Sequence, residues 1–298
     1  MNVKALYVVL AALFWGISGG IGGILMGKGW DPFVVSLYRG GIGLACVLVW
    51  LALGPGENGL ASGRLWLWSV IAGLGVAGNF SFYFVSIAEG SVAIAATLMY
   101  SAPVFIYLFS FVFGLEKPTL RKALAIAVVM AGIVLLTQIY DIGAGGLTML
   151  GVGAGLLAGL SYTVFIFGFK YAAPHGSPPA ILTVAFTVLV IALMGPSDTG
   201  QVIDVLSTPD RPLFLVLGVL GAGLSFLLYI LWLRDTEPAV ASVVAMIEPV
   251  TAALFGVLIL SEALNGLQVI GMGLILVTVT ALSVRSSAGE ETSGVMAG

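Results

Sequence analysis

A chain of 298 residues that is 60% hydrophobic and only 8% charged, with a mean hydropathy of +1.15, lies far outside the soluble range of about 25% charged residues and reads as an integral membrane protein. Its net charge of -3 gives no clustered basic surface for nucleic acid. The single cysteine, Cys46, excludes an internal disulfide framework, and the lone histidine, His175, excludes a His/Cys metal cluster, so neither metal nor cofactor is expected.

A membrane-crossing helix needs about 20 mostly apolar residues. With glycine, proline and charge breaks as boundaries, ten spans follow, near 4–27, 31–53, 65–88, 91–114, 119–139, 147–170, 178–195, 212–233, 238–260 and 265–284. The first is longer than the apolar region of a signal peptide, roughly 7–15 residues, and shows no clear small-residue cleavage site, so it reads as a mature helix. An even number of spans places both termini on one side. Lys4, Arg64, Lys117, Arg121, Lys122, Lys170, Arg234 and Arg285 fall on that side, Lys28 and Arg211 on the other, and Arg39 within the membrane. This bias predicts cytoplasmic termini. The long connection from about Pro196 to Pro212 is then external, and the small, polar tail 286–298 is expected to be disordered and cytoplasmic.

The chain repeats itself. Ala93, Ala96, Pro103 and Glu116 punctuate one apolar run, and Ala239, Ser242, Pro249 and Glu262 punctuate another, shifted by 146 residues. The same shift sets Gly75 over Gly221, Asn79 over Ser225, Phe80 over Phe226 and Tyr83 over Tyr229. The expected fold is therefore all-α, with a five-helix repeat over 1–140 and a second over 141–285. Five is odd, so the second repeat enters the membrane inverted. An inverted repeat with its site near the midplane is a transporter design.

Within the spans, Gly16 and Gly20, the series Gly19, Gly23 and Gly27, and the series Gly151, Gly155 and Gly159 recur every four residues. Small residues at that spacing let helices approach closely. The contacts could be static, or surfaces that slide as a cavity opens alternately to each side. Asn79 and Tyr83 share a stripe on the third span, as do Ser225 and Tyr229 on the eighth. Trp15 and Ser18 share a face of the first span and Ser161 and Phe165 one of the sixth, where a shift of 143 superposes Gly16 on Gly159. Tyr100 on the fourth span is answered by Met246 on the ninth. These residues are the expected substrate contacts, lining a mostly apolar, aromatic cavity suited to a small amphipathic solute. Aromatic belts at the membrane surface are the competing account, preferred for Tyr7, Trp30, Trp66 and Trp68.

Two ionisable residues lie deep in the spans, Glu248 and Arg39. They either pair with each other or with backbone groups freed by Pro249, or Glu248 is a protonatable group coupled to transport. Pro103 and Pro249, both mid-span, are expected to kink their helices.

The segment from Glu248-Pro249-Val250 through Glu262-Ala263-Leu264, with its echo from Ala102-Pro103 through Glu116-Lys117, resembles the ten-helix, EamA-type branch of the drug/metabolite transporter superfamily. The resemblance covers about residues 4 to 285 and is strongest to the exporters of aromatic amino acids. It implies a bacterial inner-membrane exporter of amino acids, other metabolites or toxic organic compounds, with a central cavity between two inverted halves. The glutamate–proline pair is shared by family members with different substrates, which favours a structural role for Glu248. Ala102 stands where a second acid would be, so no paired-carboxylate mechanism is implied.

The expected function is thus outward secondary transport of small metabolites, amino acids and especially aromatic ones, by alternating access. Export of cationic drugs is the rival within the class, since one deep acid beside aromatic rings suits a cation. An intramembrane enzyme acting on lipid-like substrates is the rival from another class, though no metal-ligand or acid–base constellation supports it. No Walker-type loop is present for ATP hydrolysis. The expected partners are a small-molecule substrate and the lipid bilayer; the oligomeric state is left open, and a monomer fits the pattern.

Overall fold

Prolines, glycines and charges interrupt an otherwise apolar chain, and helices form between the interruptions. The computed structural model describes residues 3–54, 56, 58–89, 92–115, 119–138, 140, 148–233, 243–259, 264–278 and 281, and among these only helices, turns and bends occur. The helices are α1 (Val3–Gly27), α2 (Pro32–Leu53), α3 (Gly63–Ala88), α4 (Val92–Met99), α5 (Ala102–Val112), α6 (Leu120–Thr137), α7 (Met149–Ala172), α8 (Pro178–Met194), the short α9 (Thr199–Asp204), α10 (Arg211–Gly218), a π-helical segment (Val219–Leu224), α11 (Ser225–Leu233) and α12 (Ile247–Ile259). Gly266–Thr278 forms α13.

Each expected span contains at least one of these helices, the fourth and eighth more than one. Five stretches, Leu6–Gly27, Pro32–Leu53, Gly63–Tyr83, Met149–His175 and Arg211–Leu233, are long and apolar enough to cross a membrane. Large apolar side chains lie exposed on the helix flanks, among them Leu108, Phe111, Val112 and Phe113 on and after α5 and Leu267, Ile270 and Val277 on α13. Surface of that kind belongs against lipid. The repeat residues Glu116, Lys117, Ala239, Ser242 and Glu262, with Asp141, Arg234, Arg285 and the tail 286–298, lie outside the described residues.

Local chemistry sets the helix ends. Asp31 caps α2 by accepting from the amides of Phe33 at 2.9 Å and Val34 at 3.0 Å, with Pro32 at the first helical position. Thr148 does the same for α7, accepting from Gly151 N at 2.9 Å. The end of α1 closes through Gly29, φ 94°, with Gly29 N donating to Met26 O and Trp30 N to Leu25 O. Gly114, φ 63°, closes α5 through the same pair of bonds, to Phe111 O from its own N and to Ser110 O from Leu115 N. Both are left-handed glycine caps, a conformation that a side chain would strain.

The fourth and ninth spans are broken rather than merely bent. The break between α4 and α5 falls at Tyr100 and Ser101, two to three residues before Pro103, and a turn at Met246 falls three before Pro249. At each break the chain tightens to an i−3 bond, Ser101 N to Leu98 O at 3.2 Å and Met246 N to Val243 O at 3.1 Å. Proline supplies no N–H and crowds the turn before it, so the interruption precedes the ring.

At the centre α3 lies along α7, and small residues set the separation. A Cβ on Gly75 would sit 2.6 Å from Phe165 N, and one on Gly168 2.7 Å from Ala72 N. Asn79 Nδ2 crosses the seam to Ala158 O at 3.0 Å. At the edge of the bundle Gly132 of α6 and Gly271 of α13 approach each other's carbonyls reciprocally.

The connections pair in a similar way at the two ends of the bundle. At one end the turn 28–31 meets the segment leading into α10. Lys28 and Trp30 both bond Asp210, Asp31 N donates to Gln201 Oε1 at 2.6 Å, and Tyr38 OH donates to Val202 O at 2.7 Å. At the opposite end the turn 173–177 meets the connection between α2 and α3. Ser177 N donates to Asn58 O at 3.0 Å, and Gly59 and Gly176 lie directly against the facing backbone. The shift of 146 carries 28–31 onto 174–177, so each half lends its short turn to the other half's long connection.

Candidate functional site

A cavity of about 330 Å³ opens between α1, α2, α3, the end of α4, α7, α10, α11 and α12. That volume is in the range of roughly 300–1,000 Å³ typical of small-molecule sites. One wall is the glycine face of α1, including Gly19, Gly22 and Gly23, where a Cβ on Gly19 or Gly23 would meet nothing within 4 Å. The opposite wall is aromatic, with Phe80 and Tyr83 from α3, Tyr100, and Tyr162 and Phe165 from α7. Below these Trp15 packs between Phe226, at a ring separation of 5.2 Å, and Tyr229, at 5.0 Å. Phe226 continues the cluster to Phe169 and Phe186, both with at most 1% of their surface exposed. A stack this dense closes the cavity on that side.

Both deep charges face this space. The Arg39 guanidinium lies 4.9 Å over the Phe80 ring, a cation–π contact, and its Nε donates to Gly221 O at 3.1 Å. Gly221 sits inside the π-helical segment, whose wider turns release carbonyls from the regular ladder. It also lies against Ser18, and a Cβ there would come 2.6 Å from Ser18 Oγ and 2.9 Å from Arg39 Nε. Glu248 enters from α12 beside Pro249 and interacts electrostatically with Arg39, Tyr83 and Tyr100. One cation and one anion thus share a cavity whose walls are otherwise mainly glycine, hydroxyl and aromatic ring, with Asn79 and a few aliphatic and methionine side chains. That set can hold a small solute carrying both charges and an apolar body.

Comparison with known proteins fits this architecture. The profile of the EamA-like transporter family matches residues 2–138 and again 149–284. The chain belongs to the EamA-like transporter family. This EamA-like chain is similar to the uncharacterized transporter YwfM of Bacillus subtilis (strain 168), at 23% identity over 95% of this chain and 94% of the relative. It is also similar to the uncharacterized inner membrane transporter YedA of Escherichia coli (strain K12), at 26% identity over 64% of this chain and 61% of that one. A solved crystal structure of a protein matches with a TM-score of 0.74 over 98% of this chain and 99% of that chain, at 19% identity, a likeness that speaks for the fold.

Of the residues expected from sequence to meet substrate in this EamA-like transporter, Trp15, Ser18, Asn79, Tyr83, Tyr100 and Phe165 stand on the cavity wall, together with Arg39 and Glu248. Ser18 Oγ is occupied by Trp15 O at 2.9 Å, and the Asn79 amide nitrogen by Ala158 O, which leaves the Asn79 oxygen as its free end. Ser161, Ser225, Tyr229 and Met246 are not on that wall. Ser161 faces Gly78 across the α3–α7 seam, Ser225, Tyr229 and Met246 are fully buried, and Tyr229 touches Trp15 from behind. The wall also includes Phe80, Met99, Tyr162, Phe226 and Phe255, which patterning did not single out. The only sequence trace of Phe80 and Phe226 was their match at a shift of 146.

Proposed function

We propose that this EamA-like transporter is a secondary carrier that exports small metabolites, amino acids and especially aromatic ones, from the cytoplasm by alternating access. In this reading ten helices form two inverted halves, 1–140 and 141–285, in a bacterial inner membrane with both termini and the tail 286–298 in the cytoplasm. The reciprocal pairing of the 28–31 and 173–177 turns with the opposite half's connections supports the inverted plan. The excess of Lys and Arg on the terminal side supports the orientation, and the naming of YedA as an inner membrane transporter supports the location.

The observation that carries the substrate class is the shared cavity of Arg39 and Glu248 within aromatic walls. A bare ion needs no aromatic wall, and a purely cationic drug needs no arginine. An amino acid uses the anion, the cation and the rings together. Glu248 and Arg39 then act as substrate-facing charges, while the breaks before Pro103 and Pro249 act as hinges.

Purified protein in liposomes, loaded with labelled phenylalanine, threonine or a quaternary ammonium and run with and without a pH gradient, tests the reading. Phenylalanine flux that competes with other aromatic amino acids is expected. Flux of the quaternary ammonium alone would replace the reading with drug export. Glu248→Gln, which keeps shape and removes the charge, reports on coupling: unchanged pH dependence of flux assigns Glu248 to structure. Engineered cysteines near Lys117 and Lys170, in a background with Cys46 replaced, are expected to react from the same side of the membrane. Labelling from opposite sides would dismantle the inverted plan.

A further inference from the structure

Some buried hydrogen-bonding groups are left unused by the protein itself. Among the described residues, Trp15 Nε1, Ser69 Oγ, Tyr162 OH, Thr183 Oγ1, Ser225 Oγ and Tyr229 OH are buried without a hydrogen-bond partner. Two of them, Trp15 with 3% of its surface exposed and Tyr162 with 4%, belong to the cavity wall. The rings are contiguous: Tyr162 lies 4.4 Å from Phe165, Phe165 lies 6.3 Å from Phe226, and Phe226 lies 5.2 Å from Trp15. Buried polar groups are nearly always paired in native proteins, because leaving one unpaired forfeits its hydration. A ring of phenylalanines would pack this wall at no such cost. The two on the cavity wall are therefore explained by what enters the cavity.

Their chemistry restricts what that is. The indole N–H can only donate, and a guanidinium can only donate. Arg39, held by Phe80 and the Gly221 carbonyl beside Ser18, lines the same cavity as Trp15 and Tyr162. Its Nε is occupied, and its terminal nitrogens are its remaining donors. A set composed of an indole N–H, a phenol and a guanidinium is matched by an anionic acceptor with two oxygens. Glu248, which lines the same cavity, repels such a group and is matched instead by a cation.

We infer that Trp15 Nε1 and Tyr162 OH, backed by Arg39, form the subsite for the substrate's carboxylate. The inference rests on the amino acid reading above and sharpens it: the carrier selects for an aromatic carboxylate, and Tyr162 is a specificity-determining residue.

The test uses the full chain in lipid nanodiscs and three ligands with the same ring: phenylalanine, 3-phenylpropionate, which lacks the ammonium, and phenethylamine, which lacks the carboxylate. Tyr162→Phe removes only an unpaired hydroxyl, so its melting temperature is expected to stay at or above that of the parent. Its Kd for phenylalanine and for 3-phenylpropionate is expected to rise about tenfold, the effect of roughly one lost charge-assisted hydrogen bond, with phenethylamine unchanged. Trp15→Phe is expected to behave in the same way, and where it folds poorly Tyr162→Phe decides. Unchanged carboxylate binding in Tyr162→Phe overturns the inference. Equal weakening of all three ligands overturns it too, as does a parent protein that binds neither carboxylate. Flux separates this from the export reading. Hydroxyl-dependent binding of 3-phenylpropionate without phenylalanine transport leaves the subsite standing and removes amino acid export. Phenylalanine transport with wild-type affinity in Tyr162→Phe does the reverse.

Discussion

Helices α1 and α7 open the two halves of the chain and carry glycine at the same four-residue spacing, yet the Gly19 series of α1 is used unlike the Gly151 series of α7, while Gly20 of α1 is packed tightly against Phe255. On α7 the glycines are seams. A Cβ on Gly155 would lie 2.6 Å from Leu98 Cβ, and one on Gly159 3.1 Å from Met99 O. On α1, Gly19, Gly23 and Gly27 meet nothing within 4 Å, and the first two border the cavity. At the shift of 143 that aligns these helices, Gly19, Gly22 and Gly23 correspond to Tyr162, Phe165 and Ile166, each buried on α7. Glycine spacing permits close approach but does not establish it; the bulk at the matched positions decides which helix is a wall and which is a plug. On α1 the matched face is bare glycine beside the cavity, and on α7 it is side chain.

The largest effect is expected where helix backbones already touch. Gly75→Ala and Gly168→Ala place methyl groups against the backbone of Phe165 and of Ala72, so relief requires α3 and α7 to part. Overpacking of this kind costs about 1–3 kcal/mol per site, and the double variant is expected to show a clearly lowered thermal midpoint in detergent. The matching pair on α1, Gly19→Ala with Gly23→Ala, has open space for both methyls. Alanine is the better helix former by about 1 kcal/mol, so stability is expected to hold or rise while the narrowed cavity slows flux. Equal destabilisation by the two pairs would erase the contrast between the helices. Unchanged flux in Gly23→Leu, which projects far more bulk into the cavity, would remove α1 from the substrate path.

How much of this was legible in the sequence depends on the type of residue. Arg39, Asn79 and Glu248 could be found because a polar or charged group inside a span must face protein or water, and Trp15 through the face it shares with Ser18. Tyr162, Phe80, Phe226 and Phe255 could not, because an aromatic ring is at home in lipid, in a core and on a cavity wall alike. The repeat itself misled at one place. Asn79 and Tyr83 align with Ser225 and Tyr229 at a shift of 146, but α3 is a continuous α-helix whereas Val219–Leu224 is π-helical. Ser225 and Tyr229, which follow that segment, are fully buried off the cavity, Tyr229 against Trp15, while their counterparts Asn79 and Tyr83 reach it. Hydrogen-bond register of that kind leaves no mark in residue spacing. The prolines located the interruptions of the fourth and ninth spans to within a turn, since their effect is steric and local.

The two end contacts extend the contrast between the halves, with the smallest expected effect. The turn 173–177 is held by backbone, through Ser177 N to Asn58 O, and nothing in that bond titrates. The turn 28–31 is held by charge. The Lys28 ammonium, and after it the Trp30 indole N–H, bond Asp210 and hold its carboxyl below the ordinary value of 3.8. A carboxyl whose pKa is depressed on folding adds stability that is complete above its unfolded pKa and is lost as pH falls through the folded one. Between neutral pH and about 5 this contact is therefore expected to be constant, and below about pH 4 it should fade. Because the Lys28 ammonium is exposed and Asp210 only partly buried, the change is small and shrinks further in high salt. Asp210→Asn keeps an acceptor for Trp30 while removing the ion pair, so its melting curve is expected to lie slightly below the parent's at pH 7 and to meet it near pH 3. Two curves that stay parallel across that range would mean that the charged end is as indifferent to acid as the backbone-held one, and that the two contacts differ in composition without differing in behaviour.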